Sequence, residues 1–422
     1  MTTGIHGVAD DLLEEARLLW TRLSSDSSCV TSRVGPDAAL AVVEPVLAQF
    51  GITRVGDLTD LDTVGIPVWF ACRPNSRALS VGQGKGLTAD QARISAIMEA
   101  VEGFAAERTK PLVDRFGSLL EMKRRDAPTI PLARMHRVNT ACLDMHRERA
   151  WVSGISLRDG RTVFAPYELV GLDMRSDMPW DHATFRMGSV GLAAGIDVEH
   201  AALHALLEIV ENDASAPVEF FGPQRTYARP LHYRAGESVA LDTAVGMLAN
   251  ADVPVHFVWL PGAVDLPVVG AYVGWRAPPA RPRWCSGFAC RSDPLDAALA
   301  ALLEAVQARL TNIAGARDDI APGTYSATAR WQFGTDDART IGELRQEFGG
   351  TVGASVPVGL THVLRMAFRA GIDDIALFPL GMADTSIRVV RLLATDLSAV
   401  PSAGMMPLGA RILPRARTGA AA

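Results

Sequence analysis

The sequence predicts an α+β (mixed α/β) fold, and two observations carry this prediction. The first is a set of runs rich in Val, Ile, Trp and Phe that are typical of strands, at residues 66–73, 150–156, 163–166, 255–260 and 268–275. The second is that helical segments separate these runs without a regular strand–helix repeat. Regular repetition would favour a Rossmann sheet, so its absence favours mixed sheets with helices packed on them.

Three long helices have start signals of their own. Thr88 with Gln91 forms a capping box, in which each side chain bonds to the backbone of the other residue. Asp197 is a predicted N-cap, and Asp293 precedes Pro294, a residue preorganised for the first helical position. A further helix is expected around residues 36–49, ending at Gly51.

The predicted organisation is a helical leader with a Ser-rich connector at 1–32, a main body at 33–400, and a basic tail at 401–422. A chain of 422 residues with 48% hydrophobic content supports one large core or two ordinary ones. The acidic N-terminus is unlike a signal peptide, and no apolar stretch reaches the roughly 18 residues that span a bilayer.

The net charge and the spacing of the cysteines argue against two classes of function, nucleic-acid binding and zinc binding. A formal net charge of −6 argues against nucleic-acid binding driven by bulk charge. The five cysteines are far apart except Cys285 and Cys290, which lack the second ligand pair of a zinc site. We expect free thiols and a cytoplasmic protein.

Two acidic helices carry the main functional signal. Residues 88–108 place Ser95, Glu99 and Glu102 on one helical face, and residues 197–214 place Glu208 and Glu211 on another. These faces are otherwise apolar, where a carboxylate is costly unless it is paired or binds a metal. Four such carboxylates suit Mg²⁺, which usually arrives with substrate phosphates. The alternative is that they are solvated positions beside an apolar stripe.

A glycine-rich stretch precedes each acidic helix, at residues 80–86 and 188–195. Both are expected to be loops whose backbone N–H groups approach an anion at a helix N-terminus. Lys85 would offset phosphate charge there, or else be an exposed turn lysine. A loop, a helix and an acid pair occur twice, and together they predict a Mg²⁺–nucleotide site between two similar halves. Such a repeat is typical of an internal duplication.

At this point the residues resemble a known family. The blocks at 80–107, 191–214 and 292–320, in that order, are similar to the signature blocks of the YcaO family, and the resemblance covers roughly residues 33–395. It implies a YcaO-type fold with residues 33–400 as the catalytic domain. It also implies use of ATP and Mg²⁺ to phosphorylate a backbone amide oxygen of a ribosomal precursor peptide, after which a nucleophile replaces that oxygen.

The resemblance also implies residue roles. Glu99, Glu102, Glu208 and Glu211 would bind Mg²⁺, and Ser95 would face the nucleotide. Gln307, Arg309 and Arg317 would contact the nucleotide or its phosphates, with Lys85 and Arg309 offsetting the charge that develops in transfer. The alternative for Arg317 is a surface ion pair with Asp318 or Asp319. His204 is not expected to be catalytic.

Four positions depart from the family pattern: Val190, Ile196, His200 and Asn212. Each replaces a polar or charged residue, and losing a hydrogen-bond donor at a buried polar site costs about 1–3 kcal/mol. The chain also lacks the PxPxP ending of azoline-forming members and a peptide-leader recognition domain. These absences resemble stand-alone members, which act with a TfuA partner in thioamide formation or form macrocyclic amidines.

Three hypotheses about function follow. The first is ATP-dependent peptide modification by a homodimer, with a thioamide product ahead of an amidine or azoline. The second is a degenerate, non-catalytic scaffold that binds a peptide, which the four departures motivate. The third is a metal-dependent hydrolase that uses the acidic cluster without a nucleotide.

Overall fold

The computed structural model describes residues 5–25, 35–135, 143–223, 226–275, 284–315, 317, 338–349, 359–381 and 385–397. Mixed helices and largely antiparallel sheets confirm the predicted α+β class. In these ranges no helix is both long and apolar enough to cross a membrane. The tail at 401–422 and most of the Ser-rich connector lie outside the described residues.

The helices and strands follow in chain order. The helices are α1 (Ile5–Ser24), α2 (Pro36–Val43), α3 (Ala89–Ala106), α4 (Thr109–Leu112), α5 (Leu119–Arg124), α6 (Tyr167–Val170), α7 (Val198–Phe221), α8 (Val239–Asn250), α9 (Pro294–Ala314), α10 (Ile341–Glu347) and α11 (Leu360–Arg369). The strands are β1 (Arg54–Asp57), β2 (Val68–Cys72), β3 (Val81–Lys85), β4 (Arg115–Ser118), β5 (Glu148–Ser156), β6 (Thr162–Pro166), β7 (Leu192–Gly195), β8 (Arg229–His232), β9 (Val255–Trp259), β10 (Val268–Gly274), β11 (Trp284–Cys290), β12 (Arg339–Thr340), β13 (Ile375–Pro379) and β14 (Arg388–Ala394).

Three sheets organise the strands. The smallest has the order β1-β2-β3 and is antiparallel throughout. A second has the order β11-β10-β9-β8-β12, and a third has the order β4-β5-β13-β14-β7 with β6 paired to β5. Each sheet buries a layer of side chains against a long helix: α3 on the first, α9 on the second, and α7 on the third.

The local predictions for strands and helix starts are confirmed. The five predicted strand runs are β2, β5, β6, β9 and β10, each within a few residues of its expected bounds. Thr88 accepts from the backbone N–H of Gln91 in a full capping box, while Asp197 and Asp293 cap α7 and α9. The helix that starts at Pro36 continues as a 3₁₀ helix at Glu44–Phe50 and ends at left-handed Gly51.

Much of each glycine-rich stretch is a strand and not the loop that the sequence predicts. Val81–Lys85 is strand β3, and Leu192–Gly195 is strand β7. A Cβ atom on Gly84 would lie 2.0 Å from the backbone nitrogen of Ala96 in α3. A Cβ on Gly287 of β11 would lie 2.3 Å from the carbonyl oxygen of Ala301 in α9. These glycines therefore let a helix pack directly on its strand.

The first helix is part of the main core, although the sequence sets residues 1–32 apart as a leader. Leu13, Ala16 and Leu19 of α1 are buried in the cluster that also contains α7 and β14 side chains. Glu15 accepts two hydrogen bonds, of 2.7 and 2.8 Å, from the Arg388 guanidinium in β14. This helix therefore folds with the sheet that carries β7.

The packing of β3 on α3 yields a stability prediction. Gly84→Ala should lower the free energy of unfolding by about 1–3 kcal/mol or more. The reason is that the new Cβ would collide with helix backbone, so α3 must move away. Urea denaturation measures the change. Gly35→Ala is the matched control, since its Cβ would have nothing within 4 Å. Equal stability of the two variants would contradict the packing argument.

Candidate active site

A cavity of about 800 Å³ lies between α3, α7 and α9. Its walls include eight of the nine residues that the sequence singles out, namely Lys85, Ser95, Glu99, Glu102, Glu208, Glu211, Gln307 and Arg317. The two acidic helices, nearly a hundred residues apart in the chain, thus present their carboxylates to one space. This convergence is what a site for cations and phosphates requires.

The strands beneath the helices fix these carboxylates. The backbone N–H of Gln83 in β3 donates to Glu99 Oε2 at 2.8 Å. The N–H of Ala194 in β7 donates to Glu102 Oε1 at 2.8 Å, and that of Gly191 donates to Glu208 Oε2 at 3.0 Å. Each of these three carboxylates is therefore oriented by a main-chain donor through one oxygen.

Arg391 holds the segment that supplies one of these donors. This arginine of β14 is 1% exposed and donates to the carbonyl oxygens of Gly188 and Val190, both at 2.7 Å. It also donates to Val170 O at 3.1 Å. Burial raises the pKa values of Glu102 and Glu208, and the positive charge of Arg391 reduces that rise. No sequence pattern marks Arg391, because its partners are backbone atoms about two hundred residues away.

The third helix adds a carboxylate that the sequence reasoning missed. Glu304 of α9 lines the cavity, and its Oε2 lies 2.8 Å from Lys85 Nζ. It precedes Gln307 by three residues, the same spacing as in the two glutamate pairs. This repeated spacing is the feature of the sequence that could have identified Glu304. Each of three strand–helix units, β3–α3, β7–α7 and β11–α9, contributes two polar side chains three residues apart, and in α9 the second is Gln307.

Burial makes this cluster electrostatically unusual. It raises the pKa of Glu99, raises that of Glu208 to about 7, and raises those of Glu102 and Glu211 well above the ordinary value. Repulsion from Glu208 and Glu99 adds to burial for Glu102, while Glu304 and Glu208 do the same for Glu211. Burial therefore keeps these carboxyl groups protonated to a higher pH than an ordinary glutamate.

The donor set fits Mg²⁺ with phosphates. All the carboxylates are oxygen ligands, and Lys85, Arg291 and Arg317 place cationic groups in the same cavity. Within the described ranges, no three acidic, His or Cys side chains converge closely enough to hold a metal by themselves. A magnesium ion here would accordingly share its coordination between a carboxylate or two and phosphate oxygens, as Mg²⁺ usually does.

Two buried side-chain amides in this cavity wall each have one atom without a hydrogen-bond partner. The Nε2 of Gln307 donates to Gln83 O at 3.3 Å, while its Oε1 is buried with no hydrogen bond. Gln83 Nε2 is buried and unpartnered too, although Thr311 donates to the Oε1 of the same side chain. Orphaned buried polar atoms are costly, and a polar ligand in the cavity would satisfy them.

Arg309 is the exception among the predicted residues, because the structure places it away from the others. Its side chain does not line the cavity. Instead, its guanidinium forms a two-point ion pair with Asp62, at 2.6 and 3.0 Å, and donates to Gly274 O at 2.9 Å. It also lies over the Trp275 ring. A buried, fully partnered arginine of this kind stabilises the packing of α9.

Of the four departures from the family pattern, only His200 lines the cavity. Val190 packs against the core, and Asn212 donates to the carbonyl oxygen of Glu208 at 2.9 Å. Ile196 is 36% exposed and is not part of the cavity lining. The Nε2 atoms of His200 and His204 lie 3.2 Å apart on the cavity wall. Three of the four changes therefore leave the cavity lining intact.

Comparison with known proteins decides the family. A family model described as YcaO cyclodehydratase, ATP- and Mg²⁺-binding, matches residues 83–398. The chain belongs to the YcaO family. This membership confirms the resemblance read from the signature blocks, and it places the chain in a family that binds ATP and Mg²⁺.

Individual relatives and solved structures are also similar to this chain. A protein of Rhizobium leguminosarum bv. trifolii, named only as an uncharacterized protein in the tfuA 3′ region, is 33% identical over 90% of this chain and 91% of its own length. The structure of YcaO from Methanopyrus kandleri bound with AMPPCP and Mg²⁺ has a TM-score of 0.66 at 24% identity, covering 89% of this chain and 96% of that one. A heterocyclase in complex with substrate and cofactor also has a TM-score of 0.66, at 16% identity over 85% of this chain and 52% of its own.

The raised pKa values predict a coupling between protons and Mg²⁺. The folded protein keeps a proton on Glu208 up to a pKa of about 7, whereas an unfolded glutamate loses it near 4.5. Between these values the folded state binds more protons, so the free energy of unfolding of the metal-free protein should fall as pH rises. Binding of Mg²⁺ with a nucleotide should release protons in this window, since ligand carboxylates must be ionised.

Calorimetry in two buffers of different ionisation enthalpy measures that proton release. Glu208→Gln should release fewer protons than the wild type, because its amide does not titrate. Identical heats in both buffers for the wild type would contradict the buried, protonated state of the cluster.

Proposed function

We propose that this YcaO protein uses Mg²⁺-bound ATP to activate a backbone amide of a ribosomal precursor peptide, and that a sulfur nucleophile then gives a thioamide. The observation that carries the proposal is the convergence of glutamates from three strand–helix units on one cavity of about 800 Å³. A cavity of this volume suits a ligand of nucleotide size. The family's ATP and Mg²⁺ binding supports the same reading.

The residues of the chain would act mainly by positioning. Glu99, Glu102, Glu208 and Glu211 would hold Mg²⁺ against the phosphates, and Ser95 would contact the nucleotide one helical turn before Glu99. ATP would supply the phosphoryl group that the amide oxygen accepts. The sulfur nucleophile then adds to the amide carbon, and the oxygen leaves with the phosphate.

Three further residues would manage charge in this step. Lys85, already paired with Glu304, would offset charge on the transferred phosphoryl group, and Arg317 lies on the same wall. Gln307, with its orphaned Oε1, would hydrogen-bond the nucleotide. Arg309 would contribute only through the packing of α9. Nothing in this arrangement requires a nucleophilic side chain.

The relative from the tfuA 3′ region supports a TfuA-like partner. We propose that this partner delivers sulfur, and the thioamide product depends on that proposal. Macrocyclic amidine or azoline formation remains the alternative, since the attacking group belongs to the substrate or the partner. We further propose a homodimer, a cytoplasmic location, and one catalytic domain spanning residues 33–400.

Calorimetry with Mg²⁺ and ATP tests the nucleotide site. Glu99→Gln/Glu208→Gln should weaken binding at least tenfold, about 1.4 kcal/mol, because amides bind Mg²⁺ poorly. The amides should leave stability nearly unchanged, since burial already favours neutral carboxyls here. The matched control is Glu14→Gln/Glu347→Gln, on exposed helix surfaces. Absence of binding by the wild type would overturn the proposal and leave a peptide-binding scaffold.

Mass spectrometry of the product peptide tests the reaction. With ATP, sulfide, the partner and the peptide, the expected product gains the mass difference between sulfur and oxygen, and Glu99→Gln/Glu208→Gln should give none. Loss of one water under the same sulfur-supplied conditions would instead establish an azoline or amidine and contradict the thioamide.

A further inference from the structure

A second cavity, of about 750 Å³, adjoins the carboxylate cavity. The two share a wall that includes Glu99, Glu102, Ser189 and Arg317. Whatever occupies the second cavity therefore faces the proposed nucleotide site across α3. Its remaining surface differs in character, since it is lined by apolar side chains such as Leu172, Met174 and Met187.

The segment between α6 and β7, residues 171–191, forms one side of this second cavity, and buried acids anchor it. Asp173 is fully buried and accepts hydrogen bonds from Thr109 at 2.7 Å and from the guanidinium of Arg175. Asp181 pairs with Arg149 at 2.9 Å. These contacts neutralise the acids of the segment and set its position before any ligand binds.

One arginine and one histidine of the same segment take no part in these anchoring contacts. His182 and Arg186 are exposed and line the cavity, and no hydrogen bond or ion pair joins either one to another described residue. Arg73, also in the lining, is already paired with Glu107 at 2.6 Å. Among the lining residues only Glu99 and Glu102, on the shared wall, are acidic. Outside the shared wall the lining consequently contains no acidic side chain, while Arg186 contributes a positive charge there.

We infer that the second cavity binds the substrate peptide as an extended segment with an acidic residue. Its carboxylate would pair with Arg186 and His182, and an apolar neighbour would pack on Met174 and Met187. The amide to be modified would then lie at the shared wall, toward the nucleotide. Arginine favours a carboxylate ligand because its planar fork bonds both oxygens. This inference rests on the proposed function, because it assigns the peptide to the space beside the nucleotide site.

Selection of a randomised peptide library on the full-length protein, without nucleotide, tests the inference. The wild type should enrich peptides in which Asp or Glu recurs beside an apolar residue. Arg186→Glu should lose this enrichment, and Arg186→Gln should weaken it. Arg369→Glu is the matched control, because it makes the same charge change on an exposed arginine at the end of α11, outside both cavities.

One selected peptide and its Glu→Gln counterpart then complete a double-mutant cycle. The amide should weaken binding to the wild type tenfold or more and leave binding to Arg186→Glu nearly unchanged. Failure to enrich acidic peptides, or equal enrichment by the wild type and Arg186→Glu, would overturn the inference.

Calorimetry with Mg²⁺ and ATP on the same preparations separates this inference from the proposed function. Arg186→Glu should bind the nucleotide within a few-fold of the wild type, which also shows that the variant is folded. If the wild type binds the nucleotide but peptide selection does not depend on Arg186, only the proposed peptide site is contradicted. If selection depends on Arg186 but the wild type does not bind the nucleotide, only the proposed ATP-dependent reaction is contradicted.

Discussion

Direct packing of three helices on glycine-bearing strands is the constraint on which the rest of this structure depends. A glycine such as Gly84 or Gly287 brings strand backbone within contact distance of helix backbone, so at that position there is no room for a side chain between the strand and the helix. At that distance the strand N–H groups of Gln83 and Ala194 reach the carboxylates of Glu99 and Glu102. The spacing that makes the packing tight therefore also aims the carboxylates into the cavity.

This arrangement concentrates acidic groups where they are least stable as anions. Burial favours the protonated forms of Glu102, Glu208 and Glu211, and their mutual repulsion works in the same direction. For Glu102 and Glu208, one backbone hydrogen bond each and the buried Arg391 offset only part of that cost. For Glu211, the charges of Arg291 and Lys85 do the same. A divalent cation would remove the cost, and the orphaned amide atoms of Gln83 and Gln307 leave further polar contacts for a ligand. Function and local stability thus oppose each other at this site.

Interactions between residues close together in the sequence could be predicted from it, whereas interactions between distant residues could not. Capping at Thr88, Asp197 and Asp293 is local and was predicted, as were the carboxylate faces that follow from helical periodicity. The sequence predicts loops at the glycine stretches, because a glycine that lets a helix approach and one that binds an anion look alike in one sequence. Two other contacts join residues about two hundred or more positions apart, and no local pattern reveals them. They are the ion pair of Arg309 with Asp62 and the hydrogen bond from Arg391 to Val190 O.

The central claim is that α3, α7 and α9 form one site for Mg²⁺ and a nucleotide. A crystal structure of the chain grown with Mg²⁺ and a non-hydrolysable ATP analogue tests it most directly. The account predicts Mg²⁺ at about 2.0–2.1 Å from oxygens of the cavity glutamates and from phosphate oxygens. A nucleotide bound outside this cavity, or a metal held by phosphate and water without any of these glutamates, would contradict it.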